Sequence, residues 1–496
     1  MRSIGRNVNA NYLGSTTNLA PVLVLVLGLA TSACADLTET QSPAPSVTPT
    51  TQGEASLTVD ASHIAPMYRQ LLTIDLPTVT QVTMASNLDI KEAQQRVEAA
   101  QGAYYGSIGA IFPIVSPEVQ AQRIKGAVGQ PNGSFGIGNF SNFIPALALQ
   151  WIINPGAVVY DIIAAKRRLQ ATAQQQQASI QETLRVAADQ YYDLVLAQAQ
   201  VSAAQQAADE ATELLRLERL KLNSGIGLPA DVLRAQAALA NTQQDLLSAL
   251  NSFYNASVSL TFTLHLDPTV MLVPKTGIVK QVTLVREDMS IDNLLVTAVN
   301  YRPDLKAVRN IVEASEAAKN GTILSGVGPG AQADAVIERS PPTNSVNDTI
   351  YRQQKYNVVA GFNFSASSFG DIKEAIADSR IAAIDLDRQL DKVRSDVVTA
   401  HQASIIAAKE IPIAAQQVAS AEEALRLTQN NFKAGTALTV DVLQAQDAAD
   451  QAHVRYATAV VRYNQSQVNL LAMLGILDDQ SIRNDQKSAA SASTPN

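Results

Sequence analysis

The segment GIGLPADVLRAQAALA, from Gly225, returns as GTALTVDVLQAQDAAD from Gly435, 210 residues later, with eight of sixteen positions identical. The same offset carries Leu215-Arg216-Leu217 onto Leu425-Arg426-Leu427, Val258 onto Val468 and Leu264 onto Leu474. Upstream the offset becomes 215: Asp89-Ile90-Lys91 meets Asp304-Leu305-Lys306, and Val97-Glu98-Ala99 meets Val312-Glu313-Ala314. The chain is therefore two copies of one long unit, and each copy must bury its apolar surface against the other copy or against further chains.

Both units change character in the same order. An Ala-rich helix comes first (about 78–110 and 293–320), then a segment with Gly, Pro and Asn breakers and alternating polarity. After Gly156 and Gly370 a helical pattern runs for over sixty residues to Gly225 and Gly435, and a second helix of about forty returns to Leu264 and Leu474. Residues 157–223 contain no Pro and no Gly, and a continuous helix of that length spans about 100 Å at ~1.5 Å per residue. No single domain wraps a core around such a rod, so it must pair with other helices along its length. Runs such as ATAQQQQASIQ and AQAQVSAAQQAADEA offer Ala for close helix approach and uncharged Gln for the remaining faces. A dimeric coiled coil satisfies the same periodicity.

The alternating segments point beyond a coiled coil. Leu147, Leu149, Trp151 and Ile153 fall on one face of a strand. Polar residues alternate with Ala333, Ala335 and Ile337, and Val358, Ala360 and Phe362 interleave with Asn357 and Gly361. These runs, about nine to eleven residues each, have the length of a membrane-spanning strand with one lipid face and one wet face. GQPNGSFGIGNFSN and RSPPTNSVND read as the loops of two hairpins. Four strands cannot close a barrel, whose minimum is about eight, and an open edge cannot be satisfied in hydrocarbon. The chain must therefore oligomerise, and a trimer would supply twelve strands.

The N-terminus reads as an export signal: Arg2 and Arg6, then the apolar run from Leu19 to Ala30, then Thr31-Ser32-Ala33-Cys34. Cys34 is the only cysteine, so no internal disulfide is possible. The junction suits acylation of Cys34 in a lipoprotein; ordinary cleavage after Ala33-Cys34-Ala35 also fits. The expected organisation is a signal at 1–34, a disordered Pro/Ser/Thr-rich tether at 35–58, a first repeat at 59–265 and a connector at 266–290 containing a β-prone run from Ile278 to Val285. The second repeat spans 291–477, and a disordered tail 478–496. The net charge of −8 supplies no basic face for nucleic acid.

The duplicated Gly-x-x-Leu-x-x-Asp-Val-Leu-x-Ala-Gln segment, the Asn-Leu-Asp-Ile and Arg-Pro-Asp-Leu openings of the units and the Leu474-Gly475 end together resemble the bacterial outer membrane efflux proteins, the TolC-like channel-tunnels. The resemblance covers about residues 60–477. It implies a mixed α and β membrane protein with four transmembrane strands and a long α-helical segment per protomer. Three copies would complete a twelve-stranded β-barrel and a twelve-helix-type α-barrel. It further implies a homotrimer in outer membrane lipid, a periplasmic adaptor and an inner-membrane transporter as partners, and export of small toxic compounds, with a type I-like protein secretion channel as the alternative. The quoted segments would be the two periplasmic tips. Gly225 and Gly435 suit helix ends that need a positive φ, with Leu228, Val232, Leu233, Leu438, Val442 and Leu443 around the turns as adaptor contacts. In the family, aspartates at the places of Asp231 and Asp441 line the closed aperture; favouring the helix dipole accounts for them equally. The family's acidic residue one turn after Asp441 is here Gln444, and the Tyr and Arg of its lock are replaced by Phe432 and Ala437. The gate here is then held by apolar packing, or Arg216, Arg219 and Arg426 substitute.

No catalytic constellation is visible. His63, His265, His401 and His453 are scattered, and no HExxH, cysteine cluster, GxSxG or phosphate loop occurs. No cofactor, metal or enzyme activity is expected. A lipid-anchored periplasmic coiled-coil tether is the remaining alternative to an export channel.

Overall fold

The computed structural model describes residues 70–129, 133–275, 281–286, 289–340, 351–362 and 366–478. The expected signal, the tether, Cys34 and the tail beyond residue 478 lie outside the described residues. Each repeat delivers two short helices, a β-hairpin and two long helices. In the first these are α1 (Leu76–Ser86), α2 (Leu88–Gly109), β2 (Ile114–Gly129), β3 (Phe135–Ile153), α3 (Pro155–Asn223) and α4 (Pro229–Thr263). In the second they are α5 (Ile291–Tyr301), α6 (Pro303–Val327), β5 (Pro329–Ser340), β6 (Tyr351–Phe362), α7 (Ala366–Lys433) and α8 (Thr439–Leu474). Two five-residue strands, β1 (Gln70–Ile74) and β4 (Val270–Pro274), pair in parallel.

The rods have the expected lengths: α3 has 69 residues and α7 68, and the returning α4 and α8 have 35 and 36. Ala164, Ala171, Ala187, Ala188, Ala197, Ala208 and Ala211 are buried along α3, so backbones approach closely where small side chains leave room. The main core lies partway along, where Leu184, Leu194 and Tyr192 of α3 meet Leu260 of α4, Val393 and Val397 of α7, Leu470 of α8 and Leu272 of β4.

Three expectations need correction. The single Ala-rich helix of each repeat is two helices, broken at Asn87 and at Arg302. Asn87 turns its side chain on the backbone, its Oδ1 accepting from the Asp89 and Ile90 amides at 2.8 and 3.3 Å, while its Nδ2 donates to the Thr263 carbonyl at 3.0 Å. Arg302 precedes Pro303, which disfavours helical geometry in the residue before it. Its buried guanidinium bonds Asp304 at 2.6 Å and Asp396 of α7 at 3.1 Å. Both breaks tie a short helix pair to the long helices.

The connector contributes the strand Val270–Pro274, and within the β-prone run from Ile278 to Val285 the described residues 281–285 are not strand. Residues 276–280 lie outside the described set. Beyond them, side-chain amides of α8 take the place of a strand partner: Asn464 Oδ1 accepts from the Val282 amide at 2.9 Å, and Gln467 Oε1 from Leu284 and Val285 at 3.0 and 2.8 Å.

The membrane strands are longer than nine to eleven residues: β2 has 16, β3 19, and β5 and β6 12 each. Much of the supposed loop GQPNGSFGIGNFSN is strand, because Phe135, Ile137 and Asn139 alternate with Gly136 and Gly138 at a period of two, in register with β2. The sheet order is β2-β3-β5-β6, all antiparallel, and β2 and β6 end the sheet with unpaired edges.

Candidate functional site

The register sorts the sheet into two chemically different faces. Val115, Pro117, Val119 and Ala121 of β2 stand with Phe143, Pro145, Leu147, Leu149 and Trp151 of β3. The same row continues through Ala331, Ala333, Ala335 and Ile337 of β5 to Tyr356, Val358, Ala360 and Phe362 of β6. The opposite face carries Ser116, Glu118, Gln120, Gln150, Gln332, Asp334, Glu338, Gln353, Lys355 and Asn357. On β3 the apolar positions 143, 145, 147 and 149 are exposed, whereas 144, 146 and 148 are half-buried, as expected when the polar face is concave. From Phe143 to Ile153 the strand runs about 34 Å at ~3.4 Å per residue. At a ~40° tilt this is roughly 25 Å of height, the thickness of the outward band of an outer-membrane barrel. No described helix is long and apolar enough to cross a membrane; the band is the membrane-spanning element.

At the far end of the rods lie the two turns. In both, the helix closes on a glycine of positive φ, Gly225 at +80° and Gly435 at +78°, and nothing lies within 4 Å of the place a Cβ would take. The chain then extends through Leu228 and Leu438 and starts a new helix at Pro229 and Thr439. Pro suits the first helical position because its missing N–H has no intrahelical partner there.

The two aspartates are engaged locally. Asp231 pairs with Arg234 at 2.7 Å, one turn along the same helix. Asp441 Oδ2 accepts from the Leu438 amide at 2.9 Å and so satisfies an otherwise free donor of the helix start. Arg216 and Arg426 are each held by a glutamate one turn earlier, Glu213 and Glu423, at 2.6 Å. Both pairs are exposed; each Arg holds its Glu below the usual carboxylate range, chiefly through the hydrogen bond between them.

A small second core sits just above the turns: Leu214, Leu215, Ala235, Phe432 and Val442, with Leu217, Val232, Leu239, Ala437 and Leu443 packed around it. Val442 is 2% exposed and Phe432 4%, so both side chains face this core and not the surface. Leu228, Leu233 and Leu438 are 63%, 65% and 69% exposed. On α3, Glu218 is buried; its Oε1 accepts from Thr439 Oγ1 at 2.8 Å and lies 3.5 Å from Lys221 Nζ. Lys221 Nζ stands 3.1 Å from the centre of the Phe432 ring, a cation–π contact. Sequence reading missed Glu218 and Lys221 because their partners lie more than two hundred residues away.

Above the turns, α3, α4 and α8 enclose a groove of about 370 Å³ lined by Gln200, Asp245, Asp447, Asp450 and Arg455 among others. Burial pushes the Asp450 carboxyl up to about 6, with Glu210 and Asp447 adding to the shift and His453 opposing it. Burial and Asp245 raise Asp447 as well. Among the described residues no group of His, Cys, Asp and Glu is placed to hold a metal ion.

The sequence matches the profile of a family described as outer membrane efflux protein over residues 79–264 and 294–476, one stretch in each repeat. The Protein CyaE of Bordetella pertussis is 25% identical over 417 residues, which cover 80% of this chain and 81% of that protein. The solved CmeC outer membrane channel of Campylobacter jejuni superposes with a TM-score of 0.70 at 16% identity, over 89% of this chain and 98% of that one. The open-state MtrE outer membrane channel of Neisseria gonorrhoeae gives 0.63 at 15% identity, over 87% and 99%. The expected fold class is the one found: a four-stranded membrane sheet above a long helical segment, in the fold of these solved outer membrane channels. Band, tunnel and duplicated family match make this chain a member of the outer membrane efflux protein family, a channel protein of the outer membrane with a periplasmic helical tunnel.

Proposed function

We propose that three copies of this chain form the exit duct of a tripartite pump that takes small toxic compounds from a periplasmic adaptor and an inner-membrane transporter to the outside. The observation that carries this reading is the four-stranded sheet with two unpaired edges, one apolar face and one polar face. Hydrocarbon tolerates no open edge, so β2 of one copy pairs with β6 of the next and the polar faces line a water-filled pore. The duct is passive; the direction of transport comes from the inner-membrane partner.

In this reading the turns at Gly225 and Gly435 surround the periplasmic aperture. The exposed Leu228, Leu233 and Leu438 offer apolar surface to the adaptor. Asp231 and Asp441 add rings of carboxylates at the mouth, favouring cations, on top of their local capping and pairing roles. Acylation of Cys34 would add a lipid anchor to the barrel.

Deleting the gene and measuring dye and drug accumulation tests the cargo class. The expected result is accumulation restored to normal by the wild-type gene. Unchanged accumulation together with loss of an exported protein from the medium would replace efflux by protein secretion.

A further inference from the structure

The membrane sheet separates charge by face. The acids of its strands, Glu118, Asp334 and Glu338, all hold pore-side positions, with Lys355 beside Glu338 at 2.7 Å. Arg123 and Lys125 of β2 hold outward positions, and no acid among the described strand residues shares that face. Both lie beyond the apolar band, at the end away from the helices. Arg123 and Lys125 follow Ala121 at the strand period of two, opposite Ser141 and Asn139. The side chains of Arg123 and Lys125 are exposed, and neither has an ion partner among the described residues.

The other rim of the band is different. There Trp151 donates its indole N–H to the Ile111 carbonyl at 2.9 Å, and Phe112 and Phe362 are 67% and 64% exposed. No basic residue of the strands stands at that level. An aromatic belt suits either leaflet of a membrane. A cationic rim on the lipid side suits only a leaflet whose headgroups supply anions at that depth.

We propose that the outward rim of Arg123 and Lys125, repeated on each copy around the barrel, binds phosphate-bearing lipid headgroups of the outer leaflet. The acyl chains lie along the apolar band below, and the phosphates sit at the level where the first cations emerge. Guanidinium matches phosphate oxygens in a two-point fork, and the lysine adds a point charge. The assignment depends on the barrel being embedded in the outer membrane and is independent of cargo, adaptor and gate.

The test is native mass spectrometry of the full-length trimer in zwitterionic detergent. It is titrated with bisphosphorylated lipid A, with the same lipid dephosphorylated, and with inorganic phosphate. The expected result is binding of the phosphorylated lipid, at least about tenfold weaker binding of the dephosphorylated one, and none of inorganic phosphate. Each cation removed should cost about fivefold, so Arg123→Gln with Lys125→Gln should weaken binding roughly 25-fold, and Lys355→Gln on the pore face should change nothing. Equal binding of the two lipids, wild-type binding by the double variant, or equally tight binding of inorganic phosphate would each overturn the proposal. If the double variant does not trimerise, the wild-type salt dependence decides. Binding that weakens from about 50 to about 500 mM salt supports the rim, and salt-insensitive binding overturns it. A chain that yields no trimer at all would instead count against the channel reading.

Discussion

The two turns at the far end of the rods share a sequence and a backbone, yet they sit in different surroundings. Gly225 and Gly435 adopt the same left-handed conformation in open space, and each is followed by an extended leucine and a new helix. The second turn is clamped. Thr439, Val442 and Phe432 are buried, and α3 holds them through Glu218 and Lys221. Among the described residues the first turn has no such clamp: Pro229, Ala230 and Leu233 are exposed, and Asp231 pairs with Arg234 of its own helix. The cause is visible at the 210-residue offset, where Glu218 and Lys221 correspond to Thr428 and Asn431, and Phe432 to Leu222. By contrast the exposed pairs Glu213–Arg216 and Glu423–Arg426 are kept in both copies. A duplicated motif thus preserves the local turn, while divergence at three long-range positions clamps one turn through Glu218, Lys221 and Phe432 and leaves the other without those contacts.

The largest expected effect of breaking this asymmetry comes from Phe432→Ala. Removing a buried aromatic ring costs about 3–5 kcal/mol, so hydrogen exchange should accelerate across the second turn. Leu222→Ala, its half-buried counterpart, should cost clearly less. Equal effects at the two positions would mean that the clamp is not confined to the second turn.

Next is Glu218→Ala. It leaves the Thr439 hydroxyl without its acceptor and Lys221 without its anion, a loss of about 1–3 kcal/mol. Exchange at the start of α8 should rise while the start of α4 stays unchanged.

The glycines provide the symmetric control. Gly225→Ala and Gly435→Ala each place a Cβ on a left-handed residue without touching any neighbour, so each should cost about 1 kcal/mol. A thermal shift that differs markedly between them would show that the turns themselves, and not their docking, differ.

The smallest effect is on pH. The Asp450 carboxyl is raised to about 6 in the folded chain, well above its ordinary value. The folded state therefore binds this proton more tightly than the unfolded state. Its contribution to stability is largest below the unfolded value and falls as pH rises towards 6. Acidifying from about pH 7.5 to about pH 5 should slow exchange, corrected for intrinsic rates, where α8 packs on α3 and α4. Asp450→Asn should remove much of that dependence.

Much of this architecture was legible in the sequence. Duplication, long runs free of breakers and the recurring Gly-x-x-Leu-x-x-Asp segment locate the rods and turns, because these are local signals repeated at a fixed offset. The strands were legible in kind but not in length. The glycines at 136 and 138 read as loop, although their alternation with Phe135 and Ile137 is a strand pattern. The breaks at Asn87 and Arg302 were hidden inside helical periodicity, since each is set by one side chain that turns on the backbone or precedes a proline. The β4 strand depends on pairing with β1, two hundred residues earlier, and no local pattern encodes that. At the turns, Asp231 and Asp441 stood out as repeated residues, whereas Glu218 and Lys221 become visible only when the two copies are compared for what they do not share.

Single-channel conductance of the purified trimer in a planar bilayer tests most directly the proposal that three of these sheets close a pore whose narrow end lies at the two turns of each copy. Discrete openings are predicted for the wild type, larger for Phe432→Ala, and less cation-selective when Asp231→Ala and Asp441→Ala are combined. A correctly folded trimer that never conducts would contradict the account.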